Sequence, residues 1–344
     1  MVVVTQKMET QTKVAVVILN YNGIHWLKKF LGNVIEKTTN AEVIIADNAS
    51  TDESINYIIN DFPSVKIIQN KTNEGYASGY NRALQQISAE YYVLLNSDVE
   101  VTKNWIAPII KLMDSDNNIA ACQPKIKKYN NKNSFEYAGA CGGFIDKYGY
   151  PFCRGRVFAT LEDDKGQYDD ACEVFWASGA CMFLRAKAFH EVGGFDWDFF
   201  AHMEEIDLCW KLKNKGYKIM CEPKSCVFHV GGGTLSSEST FKTYLNYRNN
   251  LLMLYKNLNP EKRFNTIFKR MILDGISSFK FILNGKPQHI FYILKAHLKY
   301  YTLLSLYRKK RPHSYKAKLF PKSIVYLYFI KGIKTYNQLN KDFI

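Results

Sequence analysis

The sequence predicts an α/β protein: a Rossmann-like, doubly wound and mostly parallel sheet flanked by helices, with a helical appendage at its C-terminal end. Three observations predict it. Short continuous apolar runs alternate with segments of helical spacing through the first hundred residues, as in strands buried on both faces and joined by crossover helices. Three of the four apolar runs end in a polar cluster that is a candidate for ligand contact. The composition, 344 residues with 47% hydrophobic and 23% charged, suffices for one large α/β domain with an appendage or for two average ones.

Val14 to Leu19 (VAVVIL) reads as the first buried strand, and residues 24 to 36 carry helical spacing. Glu42 to Ala46 form a second strand. Ser50-Thr51-Asp52-Glu53 then looks like a helix start, with Ser50 as cap and Glu53 at the capping-box position. Val65 to Ile68, Tyr76 to Ile87 and Tyr91 to Leu95 read as strand, helix and strand. Residues 120 to 180 lack a clean period and read as short strands around a loop region facing an acceptor. Order returns with an apolar segment at Val174 to Leu184 and helices at Ala186 to Val192 and Glu204 to Lys215. Strands at Tyr217 to Cys221 and Ser225 to His229 follow, then a long helix from Ser239 to Leu258 that stops before Pro260.

The polar clusters are Asn20-Tyr21-Asn22-Gly23, Asp47-Asn48-Ala49-Ser50 and Asn96-Ser97-Asp98. Each follows a predicted strand, so all three fall at one edge of the sheet, where such folds bind ligands. One aspartate beside a diphosphate is a sufficient nucleus for Mg²⁺ or Mn²⁺, which take oxygen ligands and keep substrate phosphates in their shell; Asp98 is the candidate. His229 ends another strand before Gly231 to Gly233, glycines that permit close approach of a bulky anion, and it is assigned a metal or phosphate role. Glu204, Glu205 and Asp207 crowd the start of one helix. The helix dipole favours acids there, and one of them can serve as a general base. The segment from Asn73 through Gly75, Gly79 and Asn81 to Arg82 opens a helix with small residues and a cation, which suits a diphosphate. It is not GxGxxG, and no Walker loop is present, which argues against NAD and kinase-type readings.

The ordered motifs VVILNYNG, ADNASTDES, NEGYASGYNRAL, LLNSDVE, WASGACMFLRAKAFHEVGGFDWDFFAHMEEIDLCWKL and FHVGGGT resemble the family 2 glycosyltransferases, which have the GT-A fold, in their rhamnosyltransferase-like branch of bacterial surface-polysaccharide enzymes. The resemblance covers residues 13 to about 255. It implies a GT-A catalytic domain at 13–258, followed by a basic, aromatic-rich helical region at 259–344. It further implies that Asp47 reads a pyrimidine base near Tyr21 and the backbone of Leu19, with Asn48 and Ser50 alongside. Asp98 would hold the metal on the donor diphosphate, His229 would complete that site, and Glu205 would deprotonate the acceptor hydroxyl, with Glu204 the alternative and Asp207 a helper. Trp176, Ser178 and Gly179 match the segment near donor sugar and acceptor. Two positions depart from the family pattern: Asn96 replaces the first acid of the DxD-type motif, and Glu205 stands where the family has Asp. The QxxRW signature of processive synthases is absent, and the corresponding helix reads KTYLNYRNN, so transfer of a single sugar is expected. The implied activity is inverting transfer from a UDP- or dTDP-sugar to a glycan or polyprenyl-diphosphate-linked acceptor, with metal and Arg82 stabilising the leaving diphosphate. A non-catalytic membrane-associated scaffold that kept the fold is the alternative; a nucleotidyltransferase lacks its glycine-rich triphosphate loop.

The net charge of +14 is unevenly placed. From Lys256 onward 19 Lys and Arg face three acids, which leaves the first 255 residues at −2. This tail predicts amphipathic helices on an anionic membrane surface, with Arg308 to Arg311 attracted to head groups, or else a helical appendage packed on the catalytic domain with a solvated basic face. No nucleic-acid recognition motif accompanies the charge. All eight cysteines lie between Cys122 and Cys226 without a CxxC pair, the first residues form no secretory leader, and no run of 18 apolar residues occurs. A cytoplasmic protein, peripheral on the inner face of the cell membrane, is expected.

Overall fold

The computed structural model describes residues 12–231 and 239–340. Its first half winds as β1 (Thr12–Asn20), α1 (Ile24–Lys37), β2 (Glu42–Asp47), α2 (Ser54–Asp61), β3 (Lys66–Gln69), α3 (Gly75–Leu84) and β4 (Ala89–Asn96). β1 pairs in parallel with β2 and β4, and β2 with β3. Its side chains alternate between two cores, Ala15 and Val17 on one face and Val14, Val16 and Ile18 on the other, which is why the run is apolar throughout. The register sets Asn20 beside Asp47, Asp47 beside Gln69 and Leu19 beside Asn96, so the strand ends share one edge.

The chain continues through β5 (Val99–Val101), α4 (Ala107–Ser115) and β6 (Ile119–Lys128). β7 (Gly143–Ile145), β8 (Pro151–Cys153), β9 (Arg156–Val157) and β10 (Thr160–Leu161) make a small second sheet. Then come β11 (Cys172–Val174), β12 (Cys181–Arg185), α5 (Ala186–Glu191), α6 (Glu204–Lys215), β13 (Lys218–His229) and α7 (Thr240–Asn257). The main sheet has the order β11-β13-β6-β12-β4-β1-β2-β3, with β5 on β13. The stretch β3-β2-β1-β4 is parallel, as is the pair β6-β13; β12 runs antiparallel between β4 and β6.

Three local expectations are corrected. β6 is a ten-residue strand where short pieces were expected, because polar Gln123 and Lys125 are buried in it and hide its apolar pattern. The two strands expected at 217–229 are one strand with a bulge: the register on β6 slips between Glu222 and Cys226, around Pro223. No capping box forms at Ser50. α2 starts four residues later without a side-chain cap, and the Ser50 hydroxyl turns to Asp47 instead.

Beyond residue 258 lie α8 (Pro260–Leu283), α9 (Gln288–Lys309), α10 (Ile324–Phe329) and α11 (Tyr336–Asn340). α8 begins with Pro260 after an Asn259 cap whose Oδ1 accepts the Glu261 N–H. α7 packs on α6, α8 and α9. Ile267, Tyr300, Tyr307, Phe320 and Ile324 belong to the same apolar cluster as Ala15 and Val17. Asp146, fully buried, accepts N–H groups of Tyr148, Tyr150 and Ile324 and so ties the small sheet to the tail.

Candidate active site

The edge where β1, β2 and β4 end is built by mutual hydrogen bonding. Asp47 is buried; its Oδ1 accepts from Asn20 Nδ2 at 3.0 Å and from the Ser50 hydroxyl at 2.6 Å, and its Oδ2 accepts the Ser50 N–H at 2.9 Å. The Ser50 hydroxyl also accepts the Asn22 N–H, and Asn22 Oδ1 accepts the Thr51 N–H, which laces the two loops together. Asp52 Oδ2 accepts the first N–H of α1, from Ile24. Tyr21 stands out of this network, the residue 47% exposed, free to face a flat ligand. The Leu19 N–H is occupied by the Tyr80 hydroxyl.

The segment 73–82, expected to cradle a diphosphate, makes many hydrogen bonds within the protein. Asn48 is turned inward, donating to the Gly75 carbonyl and accepting from Asn70. Asn73 Oδ1 already accepts the Gly75 N–H, and the Phe200 carbonyl accepts the Tyr76 N–H, so the start of α3 has no free donor at those two positions. Gly75 (φ +84°) leaves room for the Phe200 carbonyl, and Gly79 for the Asn48 amide. Asn81 is buried and exchanges two hydrogen bonds with the Phe195 backbone. Arg82 lies on the surface in a bidentate pair with Glu74, stacked over Trp197. These residues bolt α3 to the loop before α6.

At the end of β4, the Asn96 N–H donates to the Ala180 carbonyl, and Ser97 lies beside Gly23. Asp98, in the turn between β4 and β5, meets His229 at the end of β13, which pairs with β5: Asp98 Oδ1 is 3.1 Å from His229 Nε2, and Asn96 Nδ2 is 3.5 Å from the same nitrogen. Glu136 stands behind the ring, its Oε2 3.4 Å from Nδ1 as an ion pair without hydrogen-bond alignment. Burial opposes charge on this imidazole, but Asp98 and Glu136 outweigh it and push the pKa up to about 10. Burial likewise opposes charge on Asp98, and the His229 hydrogen bond still holds its carboxyl below the ordinary range. Nothing in the sequence points to Glu136; it follows β6 in an aperiodic loop. Gly232 and Gly233 lie outside the described residues, and Gly231 (φ +77°) packs against the Glu136 carboxyl.

The acids of α6 divide. Glu204 is buried and Glu205 half-buried, and Oε2 of each is buried with no hydrogen-bond partner. Burial, then the charge of Glu205, raises the Glu204 pKa well above the carboxylate range; burial lifts Glu205 to about 7 against the pull of the Glu205 and Ile206 amides. Asp207 faces the other way. It is fully buried, with Oδ2 2.7 Å from Lys256 Nζ and Oδ1 accepting from Asn257 Nδ2 at 2.7 Å. It is a clasp between α6 and α7, not a catalytic helper. Lys256 also pairs with Asp196 at 2.6 Å, and Lys310 joins Asp196 and Asp198.

The turn into α6 is strained, with His202 (φ 69°) and Met203 (φ 73°) both left-handed, a cost of roughly 1–2 kcal/mol each. α7 holds it in place: Asn249 Nδ2 donates to the carbonyls of Ala201 (3.0 Å) and His202 (2.8 Å), and Arg248 donates to that of Asp198 (2.9 Å). These lie within the NYRNN stretch, whose role the sequence left open. Tyr76 completes the wall, its hydroxyl donating to the Gly179 carbonyl at 2.8 Å. Ser178 is buried, its N–H on Gln123 and its hydroxyl accepting from Ala180, so Ser178 and Gly179 shape the loop. Trp176, expected at the sugar, is instead a core residue packed on Gly143 with Nε1 donating to the Phe144 carbonyl.

Comparison with known proteins shows the family and the fold. Residues 15–193 match the family described as glycosyl transferase family 2. The N-acetylglucosaminyl-diphospho-decaprenol L-rhamnosyltransferase of Mycobacterium tuberculosis is 24% identical over 229 residues, 62% of this chain and 75% of that protein. A low-salt glycan biosynthesis hexosyltransferase of Haloferax volcanii is 23% identical over 246 residues, covering 69% and 74%. Among solved structures, GalNAc-T7 with UDP, GalNAc and Mn²⁺ superposes with a TM-score of 0.57 at 19% identity over 74% of this chain, which spans 49% of that one. The mannosyltransferase PcManGT of Pyrobaculum calidifontis with GDP-Man and Mn²⁺ gives 0.51 at 13% identity, covering 85% and 88%. Both structures share the fold, and the family match extends over more than half of the sequence. The chain belongs to the family 2 glycosyltransferases.

Proposed function

We propose that this glycosyltransferase is inverting and dependent on Mg²⁺ or Mn²⁺. It would move one sugar from a UDP- or dTDP-sugar to a hydroxyl of a glycan or polyprenyl-diphosphate-linked acceptor in cell-surface polysaccharide synthesis, as a peripheral protein on the cytoplasmic face of the membrane. The observation that carries the proposal is Glu205: a half-buried carboxyl with an unpartnered Oε2 and a proton affinity near neutrality, on a turn braced by α7. That is the condition of a general base poised at working pH.

The residues at the end of β4 fit a divalent cation. On binding a cation His229 would give up the proton that Asp98 and Glu136 favour, and its Nε2, beside Asp98 Oδ1 and with Glu136 behind Nδ1, would then serve as a ligand. Among the described residues no group of three or more His, Cys, Asp or Glu could hold a metal by itself, so the donor diphosphate would complete the shell. When bound, such a cation offsets charge on the departing diphosphate. Asp47 and Tyr21 would hold the nucleoside base at the strand edge. Glu205 would take the acceptor proton as the acceptor oxygen bonds to the anomeric carbon. The bond from that carbon to the donor phosphate oxygen breaks, and its electron pair leaves with the nucleoside diphosphate. A single displacement inverts the anomeric centre.

The names of relatives support the donor and acceptor classes: one carries a diphospho-decaprenol acceptor in its name, and solved neighbours hold UDP or GDP-Man with Mn²⁺. The test is a panel of UDP-, dTDP- and GDP-sugars with and without divalent cation, followed by NMR of the product. Metal-dependent turnover with inversion is expected. Retention of configuration contradicts the mechanism, and absence of turnover or hydrolysis with every donor favours a non-catalytic scaffold.

A further inference from the structure

Helix α8 is inside out. Its buried face carries Arg263, Ile267, Arg270 and Asp274, while Phe264, Phe268, Ile272, Ile276, Phe279 and Leu283 recur at three- and four-residue spacing on the outer face. Phe264 is 83% exposed and Leu283 86%. The charged inner face is fixed: Arg270 Nε donates to Asp274 Oδ1 at 2.7 Å and its guanidinium lies over the Tyr150 ring, Arg263 donates to the Leu258 carbonyl, and His297 of α9 reaches Asp274. The helix therefore cannot roll its apolar stripe inward. α9 presents a second stripe, Phe291, Leu294, Leu298 and Tyr301, at the same spacing. Between the helices opens a cleft of about 370 Å³ whose walls include Tyr255, Ile267, Met271, Tyr300 and Leu304.

Water is a poor neighbour for so large a contiguous apolar surface. Charge selects the occupant. Exposed Lys262, Lys269 and Lys280 on α8 and Lys295 and Lys299 on α9 accompany the stripes, and Glu261 is the one exposed acid on the two helices. A second copy laid on this face would set lysines against lysines. An anionic bilayer satisfies both features, with lysine stems reaching up to the phosphates. Among the described residues no helix is long and apolar enough to cross a membrane.

We infer that α8 and α9 together form a lipid-docking surface that lies in the plane of an anionic bilayer and inserts its two apolar stripes among the lipid chains. This deepens, and rests on, the membrane part of the function proposed above. It moves the anchor away from the basic run at 308–311, of which Lys310 is committed to Asp196 and Asp198 and Arg311 is stacked on Tyr255. Because Lys310 closes α9 and grips the loop that leads to Glu204, the docking surface and the base share one rigid connection.

The test is flotation of the full chain with vesicles of phosphatidylcholine alone or mixed with phosphatidylglycerol, at low and high salt. Binding to the anionic vesicles that largely survives high salt is expected. The triple variant Phe264→Ser, Phe268→Ser, Phe279→Ser should weaken it about tenfold or more, since exposed apolar area drives insertion. Unchanged thermal unfolding would show that the variant folds, and unchanged donor hydrolysis in vesicle-free solution separates this inference from the catalytic proposal. No binding to anionic vesicles, or binding fully released by salt and indifferent to the triple variant, overturns the inference. So does a vesicle-free dimer that the triple variant dissociates, which would make the stripes a protein interface.

Discussion

The strand edge around Asp47 and the turn around Glu205 treat their carboxylates in opposite ways. Asp47 receives two hydrogen bonds on one oxygen and one on the other, all from neighbours in the same two loops. Glu204 and Glu205 each keep a buried Oε2 that no group satisfies. The first arrangement holds a carboxylate rigid, which suits the proposed recognition of a base. The second raises proton affinity and leaves an oxygen free to receive a proton, as acid–base chemistry requires. Saturation marks positioning, and its lack marks reactivity. The four residues Glu204 to Asp207 contain both states, since Asp207 is saturated by Lys256 and Asn257.

The largest effect should come from removing the reactive member. Glu205→Gln should lower turnover roughly 10²- to 10⁴-fold while nucleotide-sugar binding, measured by calorimetry, is retained. The same substitution at Glu204 should cost much less; equal losses would dissolve the distinction between the two. Next in size is the clasp. Asp207→Asn leaves Lys256 buried with only Asp196 as ion-pair partner, and a loss of about 3–5 kcal/mol in denaturant unfolding is expected.

How much of this was legible beforehand differs between the same two regions. The strand edge could be read because a buried parallel strand is apolar from end to end, so the first polar residues after it mark the edge; Asn20, Asp47 and Asp98 stand where that rule places them. The turn before α6 could be read only as a run of acids. Which acid is drawn into the α6–α7 clasp depends on Lys256 and Asn257, about fifty residues away, and no local pattern encodes that distance. Glu136 and Asn249 were illegible for the same reason. Trp176 and Arg82 were ambiguous because a tryptophan or an arginine beside a motif suits a ligand and a core or surface partner equally well; Trp176 packs on Gly143, and Arg82 pairs with Glu74 at the surface.

Smaller effects sharpen the comparison further. Asn249→Ala frees the carbonyls of Ala201 and His202 behind the two left-handed residues; a loss of about 1–3 kcal/mol in stability is expected, with kcat falling more than KM rises, as for a residue that positions the base. Smallest is Arg82→Ala. Its exposed pair with Glu74 contributes about 1 kcal/mol or less, and turnover should change little. A large rise in KM for the donor would return Arg82 to the diphosphate.

The central claim is that Glu205 is the base, and the pH dependence of kcat/KM tests it most directly. Burial raises its pKa from 4.5 to about 7, so the proton-accepting form appears only as pH rises through neutrality. The rate should fall about tenfold per pH unit below 7 and level off above it. The linkage to stability has the opposite sense: a raised carboxyl pKa favours the folded state at low pH, and that contribution is lost as pH rises from about 4.5 through 7. Glu205→Gln should therefore be strongly impaired yet at least as stable as the wild type above pH 7. A kcat/KM profile flat from pH 5 to 8, or one whose acidic limb survives in Glu205→Gln, would contradict the assignment.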